Sequence, residues 1–294
     1  MERITSVIRS TRRLFYLYVR LFEYMKPYVV LDKKLGQTPL EAIQEWKAAN
    51  PEYADTTASY AGRLDPMATG LLLILLGDEC KRKEAYTGLD KEYVVEVLLD
   101  VRSDTGDVLG IVEQTEKNSL PTRSEVQSIL RKEEGTHLLP YPHFSSKTVS
   151  GTPLFMHALQ GTINTIEIPE HEETFYAVDL ISIASLSTNE LQARIKDQLA
   201  HTPVSEEESK AAGADFRIHA VRNSWQPIFL DDRSYAVLRL RVTCGSGAYM
   251  RTLAQRIGNR LGTKALALSI HRARIGTYKK FGPLGIWLHL YRSS

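Results

Sequence analysis

One carboxylate in this sequence is mounted in a way that could do chemistry. In Gly62-Arg63-Leu64-Asp65-Pro66-Met67-Ala68-Thr69-Gly70 a single aspartate stands between Leu and Pro, with glycine at both ends of the stretch. Pro66 fixes its own φ and biases Asp65 away from the helical region. The glycines allow sharp turning and the close approach of another group. An apolar run, Leu71 to Leu76, follows directly, so the carboxylate sits at the entrance to a buried element. This arrangement suits a nucleophile or a general base. It also suits an Asx-type turn that introduces a core strand. The residues alone leave both open.

A nucleophilic carboxylate held in a pocket must stay ionised, and burial works against that, so a cation is expected beside it. Arg251 is the candidate. It falls in the first turn of a helix that the spacing of Leu253, Ile257 and Leu261 predicts from Ala248 to Leu261. A cation there opposes the helix dipole, and a nearby anion, either Asp65 or a phosphate, would offset the cost. An exposed arginine with no such role is the alternative. Tyr93 opens the series Tyr93, Val95, Val97, Leu99, Val101, which predicts one face of a strand. On pattern alone its ring is one more core-facing strand aromatic.

The elements that position these residues follow from local pattern. Tyr28–Leu31 reads as the first core strand, and Thr38-Pro39 as the cap and first turn of a helix to about Lys47. A strand is expected over Gly70–Leu76. Asp78 is placed as the cap of a short helix to Thr87, and Ser124 as the cap of a helix over Glu125–Lys132. Residues 139–161 form a loop-rich segment. Residues 187–230, polar and acidic with a capping-box pattern at Ser205–Glu208, read as an insertion lying away from any polyanion. Leu238, Leu240 and Val242 alternate with Arg239, Arg241 and Thr243 in a half-buried strand, and Gly245-Ser246-Gly247 is its turn.

Composition narrows the class. The 294 residues carry 43% hydrophobic and 24% charged side chains, ordinary values for a globular protein, and no apolar run approaches a membrane span. Cys80 and Cys244 form no metal spacing, the eight histidines form no H-E-x-x-H, and a reducing cytoplasmic setting without a zinc site is expected. Net charge is only +2, but its distribution is uneven. Residues 233–294 hold twelve of the 37 basic residues and none of the 35 acidic ones. That asymmetry predicts a basic footprint for a polyanion and steep salt dependence of its binding. Residues 1–26 are Arg-rich with apolar residues at helical spacing. They admit three readings: a targeting peptide, a polyanion-facing extension, or sequence upstream of a true start at Met25.

The Asp65 stretch resembles the catalytic motif of the TruB family of pseudouridine synthases. Gly245-Ser-Gly-Ala-Tyr-Met-Arg-Thr-Leu resembles that family's second motif, and Asp90-Lys-Glu-Tyr its active-site tyrosine segment. The resemblance covers about residues 27–185 and 233–285. It implies an α+β fold: a mixed, mostly antiparallel sheet flanked by helices, with a thumb loop at residues 140–161. It implies conversion of uridine to pseudouridine in RNA, most like uridine 55 of the tRNA T loop, by a monomer without cofactor or metal. Asp65 would be the nucleophile, Arg251 its ion partner and Tyr93 a stacking residue or base. Tyr249 and Ile270 would shape the pocket, and Lys147 would grip RNA from the thumb. Asp104-Thr-Gly-Asp107 also matches, as structure rather than chemistry.

Departures accompany the match. Tyr60 stands where a His is usual, and Arg63 where a small residue is usual. Ser246 replaces a common Lys and removes one cation, and Lys34 replaces a Pro. Tyr60 and Arg63 would still face the substrate. The sequence runs only a little past Phe281-Gly-Pro-Leu284, which leads to the expectation that a C-terminal PUA domain is absent. The same reaction on another RNA, such as ribosomal RNA, and a non-catalytic tRNA-binding or folding module remain as alternatives.

Overall fold

The computed structural model describes residues 26–116, 120–202, 217–282 and 284–292. The basic segment at 1–25 and the Ser205–Glu208 pattern lie outside the described residues. Among those described, the strands are β1 (Tyr28–Lys33), β2 (Ala58–Ala61), β3 (Ala68–Leu76), β4 (Asp90–Leu99), β5 (Val101–Ser103), β6 (Val112–Gln114), β7 (Gly135–Pro140), β8 (Thr148–Val149), β9 (Thr152–Pro153), β10 (Glu170–Ser187), β11 (Ser234–Cys244), β12 (Ala265–Phe281) and β13 (Leu284–Tyr291). The helices are α1 (Pro39–Ala49), α2 (Lys83–Thr87), α3 (Arg123–Arg131), α4 (Leu154–Leu159), α5 (Thr188–Ala200), α6 (Ile218–Phe229) and α7 (Met250–Arg260).

Nine strands make one sheet in the order β1-β3-β12-β4-β11-β10-β7, with β2 added on β3 and β13 on β12. The pairings are antiparallel except that of β12 with β3, which run parallel at Ile270↔Ala68 through Arg272↔Gly70. The fold is α+β with a mixed, mostly antiparallel sheet. Close approach explains Gly70: its φ is +98°, and a Cβ there would lie 2.4 Å from the Arg272 carbonyl oxygen. A side chain at this position would push apart the two strands that carry the Asp65 loop and Arg272.

The core lies between the sheet and α7, α5 and α6. Leu253, Ala254 and Ile257 of α7 are buried, as are Leu72, Ile74, Val95, Val97, Leu238 and Leu240 from the strands. The 187–230 segment, expected as a mostly polar insertion, also contributes to the core. Leu191, Ile195 and Leu199 of α5 and Ile218, Val221, Trp225 and Ile228 of α6 are all buried in the main hydrophobic cluster. Those residues recur every three or four positions inside a polar composition, so average polarity hid two amphipathic helices. Trp225 Nε1 donates to the Val108 carbonyl at 3.3 Å, which ties α6 to the turn between β5 and β6.

Two caps differ from expectation. Thr122, not Ser124, caps α3, because Thr122 and Glu125 complete a reciprocal capping box. Asp78 caps nothing: a 3₁₀ turn over Gly77–Arg82 precedes α2, and Asp78 pairs with Lys81 at the surface. The 139–161 segment is not all loop. It folds as the β8–β9 hairpin, whose turn residues Ser150 and Gly151 both have positive φ, followed by α4.

Candidate active site

The Asp65 loop is fixed from both sides by buried cations. Lys33 of β1 is 1% exposed, and its Nζ donates to the carbonyls of Gln37 (2.6 Å) and Pro66 (3.3 Å). Arg272 of β12 is 2% exposed, and its guanidinium donates to the carbonyls of Arg63 (2.6 Å), Gly62 (3.2 Å) and Leu71 (3.3 Å). Leu64 and Met67 anchor the loop in the core. The loop therefore cannot drift without leaving backbone oxygens and buried charges unpaired. Burial pulls the Lys33 pKa down to about 8, with Asp65 opposing the shift.

Asp65 opens into a cleft of about 550 Å³ lined in part by Tyr93, Tyr249, Arg251, Ile270 and Phe144. Arg251 Nε lies 2.9 Å from Asp65 Oδ2 and 3.6 Å from Asp107 Oδ2. Its N–H is poorly directed at the Asp65 oxygen, so the contact is a close charge pair rather than a well-aligned hydrogen bond. The other end of the guanidinium is fully directed: Nη1 donates to the Thr105 carbonyl at 2.7 Å and Nη2 to the Phe144 carbonyl at 2.9 Å. Burial works against the Arg251 cation, but Asp65 and Asp107 outweigh it and raise its pKa above the ordinary arginine value. For the buried Asp107 the balance is reversed: burial pushes its carboxyl up despite Arg251. The Asp65 side chain is 40% exposed, reachable from the cleft.

Tyr93 is buried on the floor, its hydroxyl accepting from Arg272 Nε at 3.2 Å. Burial raises the pKa of this phenol, so it keeps its proton at neutral pH. Tyr249 and Ile270 also line the cleft. Arg63 lies at the rim, where Nη2 reaches the Tyr60 hydroxyl at 3.3 Å, and Lys83 Nζ sits 4.9 Å from the centre of the Tyr60 ring. Tyr60 and Lys147 are not part of the cleft wall. Lys147 lies on the thumb, its Nζ 5.0 Å from the centre of the Tyr141 ring, which in turn stacks on His171 at 3.9 Å.

The sequence offered signals for side chains that pattern reading passed over. Lys91 continues the core-facing series Tyr93, Val95, Val97 by one step, and Arg272 continues Leu266, Leu268, Ile270. A charge in register with a core face marks a buried, partnered group. Lys91 Nζ donates to the Thr87 carbonyl at 2.8 Å, the same oxygen that Ser246 Oγ donates to at 2.6 Å. Lys91 thus puts a cation in the cleft wall close to Ser246. Burial lowers its pKa to about 8.

The basic C-terminal segment is not a free polyanion surface as a whole. Arg233 pairs with Asp100, Arg256 and Arg260 with Glu133, Arg274 with Glu92, Lys280 with Glu134, and Arg251 with Asp65 and Asp107. The sheet folds part of this acid-free segment among the acids of the preceding chain, so six of its twelve basic side chains meet an acid in space. Arg239, Arg241, Lys264, Lys279 and Arg292 remain exposed. Among the described residues no group of three or more His, Cys, Asp or Glu side chains is placed to hold a metal ion, and no helix is long and apolar enough to cross a membrane.

A second buried acid lies behind the thumb. Glu173 is 1% exposed, 3.2 Å from His171 Nε2 and 3.8 Å from Arg256 Nη1, and burial lifts its pKa from 4.5 to about 7 against the pull of Arg256. The folded state holds this proton to about pH 7, whereas the unfolded chain releases it near 4.5. Stability from this group therefore falls as pH climbs from about 4.5 to about 7, by on the order of 3 kcal/mol, and levels off above. Denaturation of wild type and Glu173→Gln across that range should show a pH slope in the wild type that the variant lacks. Parallel curves would refute the shift.

Comparison with known proteins places this geometry. The sequence profile described as TruB family pseudouridylate synthase (N terminal domain) matches residues 52–198. The chain is similar to the tRNA pseudouridine synthase B of Caldicellulosiruptor saccharolyticus, at 24% identity over 86% of this chain and 69% of that protein. It is similar to the proteins of the same name from Xanthomonas campestris pv. campestris (28%, over 88% and 66%) and Methylobacillus flagellatus (29%, over 81% and 60%). It thus spans about two thirds of the length of these relatives. With half of its length inside the family profile and the Asp65 motif within that half, the chain belongs to the TruB family of pseudouridylate synthases.

Proposed function

We propose that the protein converts uridine to pseudouridine in tRNA, at uridine 55 of the T loop, with Asp65 as nucleophile. One observation carries this reading. The exposed Asp65 carboxylate lies 2.9 Å from a buried arginine in a cleft that also holds a buried tyrosine ring. The relatives named tRNA pseudouridine synthase B support tRNA as the substrate class.

The reaction is an isomerisation. The N1–C1′ bond breaks, the base turns, and a C5–C1′ bond forms; the C5 proton is lost and N1 ends protonated. No electron acceptor is required. The base must first leave its stack to reach the cleft. Tyr93 and Ile270 offer apolar surface to it. Arg251, 2.9 Å from Asp65, aims it, so that the carboxylate can act at the sugar either by addition at C1′ or by removal of a ribose proton. Since the Tyr93 phenol is held protonated and its oxygen is occupied by Arg272, its ring is favoured as a packing surface over its hydroxyl as a base. On this reading Arg63 and Tyr60 at the rim and Lys147 on the thumb would meet the RNA strand around the target.

The test is purified protein on a T-arm stem-loop RNA, with a ribosomal-RNA hairpin and a uridine-55-to-cytidine T arm as controls. Pseudouridine at position 55 of the T arm alone is the expected result. Product only in the ribosomal hairpin would reassign the substrate, and binding without product would remove the enzymatic reading.

A further inference from the structure

Arg217 belongs to none of the motifs above. It directly precedes α6 in the 187–230 segment, with φ +52° and ψ +35°, a conformation that side chains disfavour. Yet its side chain reaches the cleft wall. Nη1 lies 2.7 Å from Asp104 Oδ2, and the guanidinium carbon lies 4.9 Å from the centre of the Phe144 ring on the thumb.

Arg251 spans the same two loops. Its Nη1 takes the carbonyl of Thr105, next to Asp104, and its Nη2 takes the carbonyl of Phe144. Two guanidinium groups therefore bridge the 103–107 turn and the base of the thumb, one through backbone oxygens and one through side chains. The base carrying Arg217 is rigid. Ile218, Val221 and Trp225 are buried, Trp225 bonds the Val108 carbonyl, and Ser224 Oγ accepts from Val112 N at 3.0 Å.

We propose that Arg217 is a positioning residue: it clasps the thumb, through Phe144, to the Asp104–Thr105 turn, and so holds the two carbonyls that aim Arg251 at Asp65. The 187–230 segment then does more than complete the core, since it sets the thumb from a helix docked behind it. The clasp rests on the proposed function for its role in catalysis, but its effect on the thumb can be read without substrate.

The experiment compares wild type, Arg217→Gly and Arg217→Lys. Glycine removes the clasp while relaxing the left-handed backbone, so its melting temperature should equal or exceed that of the wild type. Hydrogen exchange of thumb amides 144–161 in the free protein should quicken about five- to tenfold in Arg217→Gly. In Arg217→Lys, which keeps the charge but not the planar stacking surface, the change should be smaller. On T-arm RNA, Arg217→Gly should lower kcat about tenfold with KM little changed, because the positioning of Arg251 is lost rather than a substrate contact. Unchanged thumb exchange overturns the clasp. So does a raised KM with unchanged kcat, which would make Arg217 a contact to an RNA phosphate. The exchange measurement needs neither RNA nor turnover, so failure of the proposed reaction is told apart from failure of the clasp.

Discussion

Asp65→Asn is expected to leave a folded protein that binds T-arm RNA with wild-type affinity but forms pseudouridine at least about 10⁴-fold more slowly. The amide keeps the volume and the loop. Lys33 and Arg272 grip the loop through its backbone carbonyls, and none of these three hydrogen bonds involves the Asp65 side chain. Arg251 keeps Asp107 and its two carbonyl partners, so its charge is not stranded. What disappears is the carboxylate oxygen that, on the proposed reading, acts at the sugar. Single-turnover assays with enzyme in excess, beside a binding measurement, give both numbers. Residual activity within tenfold of wild type would take the nucleophile away from Asp65.

Arg251→Met is expected to act on stability as well as on rate. The arginine is 6% exposed and so is Asp107, whose carboxyl burial already pushes up. Removing the cation leaves Asp107 without its ion partner, Asp65 without its 2.9 Å contact, and the Thr105 and Phe144 carbonyls without their donor. Breaking a buried pair from one side costs about 3–5 kcal/mol. The double variant Arg251→Met/Asp107→Asn should recover a large part of that loss, since the stranded charge is gone, and recover no activity. Chemical denaturation and single-turnover kinetics on the three proteins check this. Additive stability losses would show that Asp107 and Arg251 are not energetically coupled.

The Asp65 loop, α1 with its Thr38 cap, the strand pattern at Tyr93 and the helix carrying Arg251 were all legible, because each rests on short-range rules of proline, capping and periodicity. The contact between Asp65 and Arg251 follows from no such rule; the demand of a pocketed carboxylate for a cation, a cation in the first turn of a helix and the family resemblance point to it. Lys33, Lys91 and Arg272 belong to no motif, and only their register on a core-facing side of a strand marks them. Each sits on a strand among apolar neighbours, where an unpaired cation could not stay. The 187–230 segment was misjudged because composition was averaged over residues whose period of three to four mattered more than their mean. For the basic segment a linear count of charge overstates the free cationic surface, because the sheet interleaves distant acids with part of it.

The parallel junction of β3 with β12 also bears on synthesis. Arg272 meets the Gly62 carbonyl across 210 residues of chain, and Arg251 reaches Asp65 from the same late part of the sequence. A chain emerging from the ribosome therefore displays the Asp65 carboxylate long before it owns Arg251, which contacts it, and Arg272, which holds its loop. Contacts so remote in sequence form late and slowly. Nascent chains ending before α7 should be inert toward RNA, and the competent cleft should arise in one step when the last strands join the middle of the sheet.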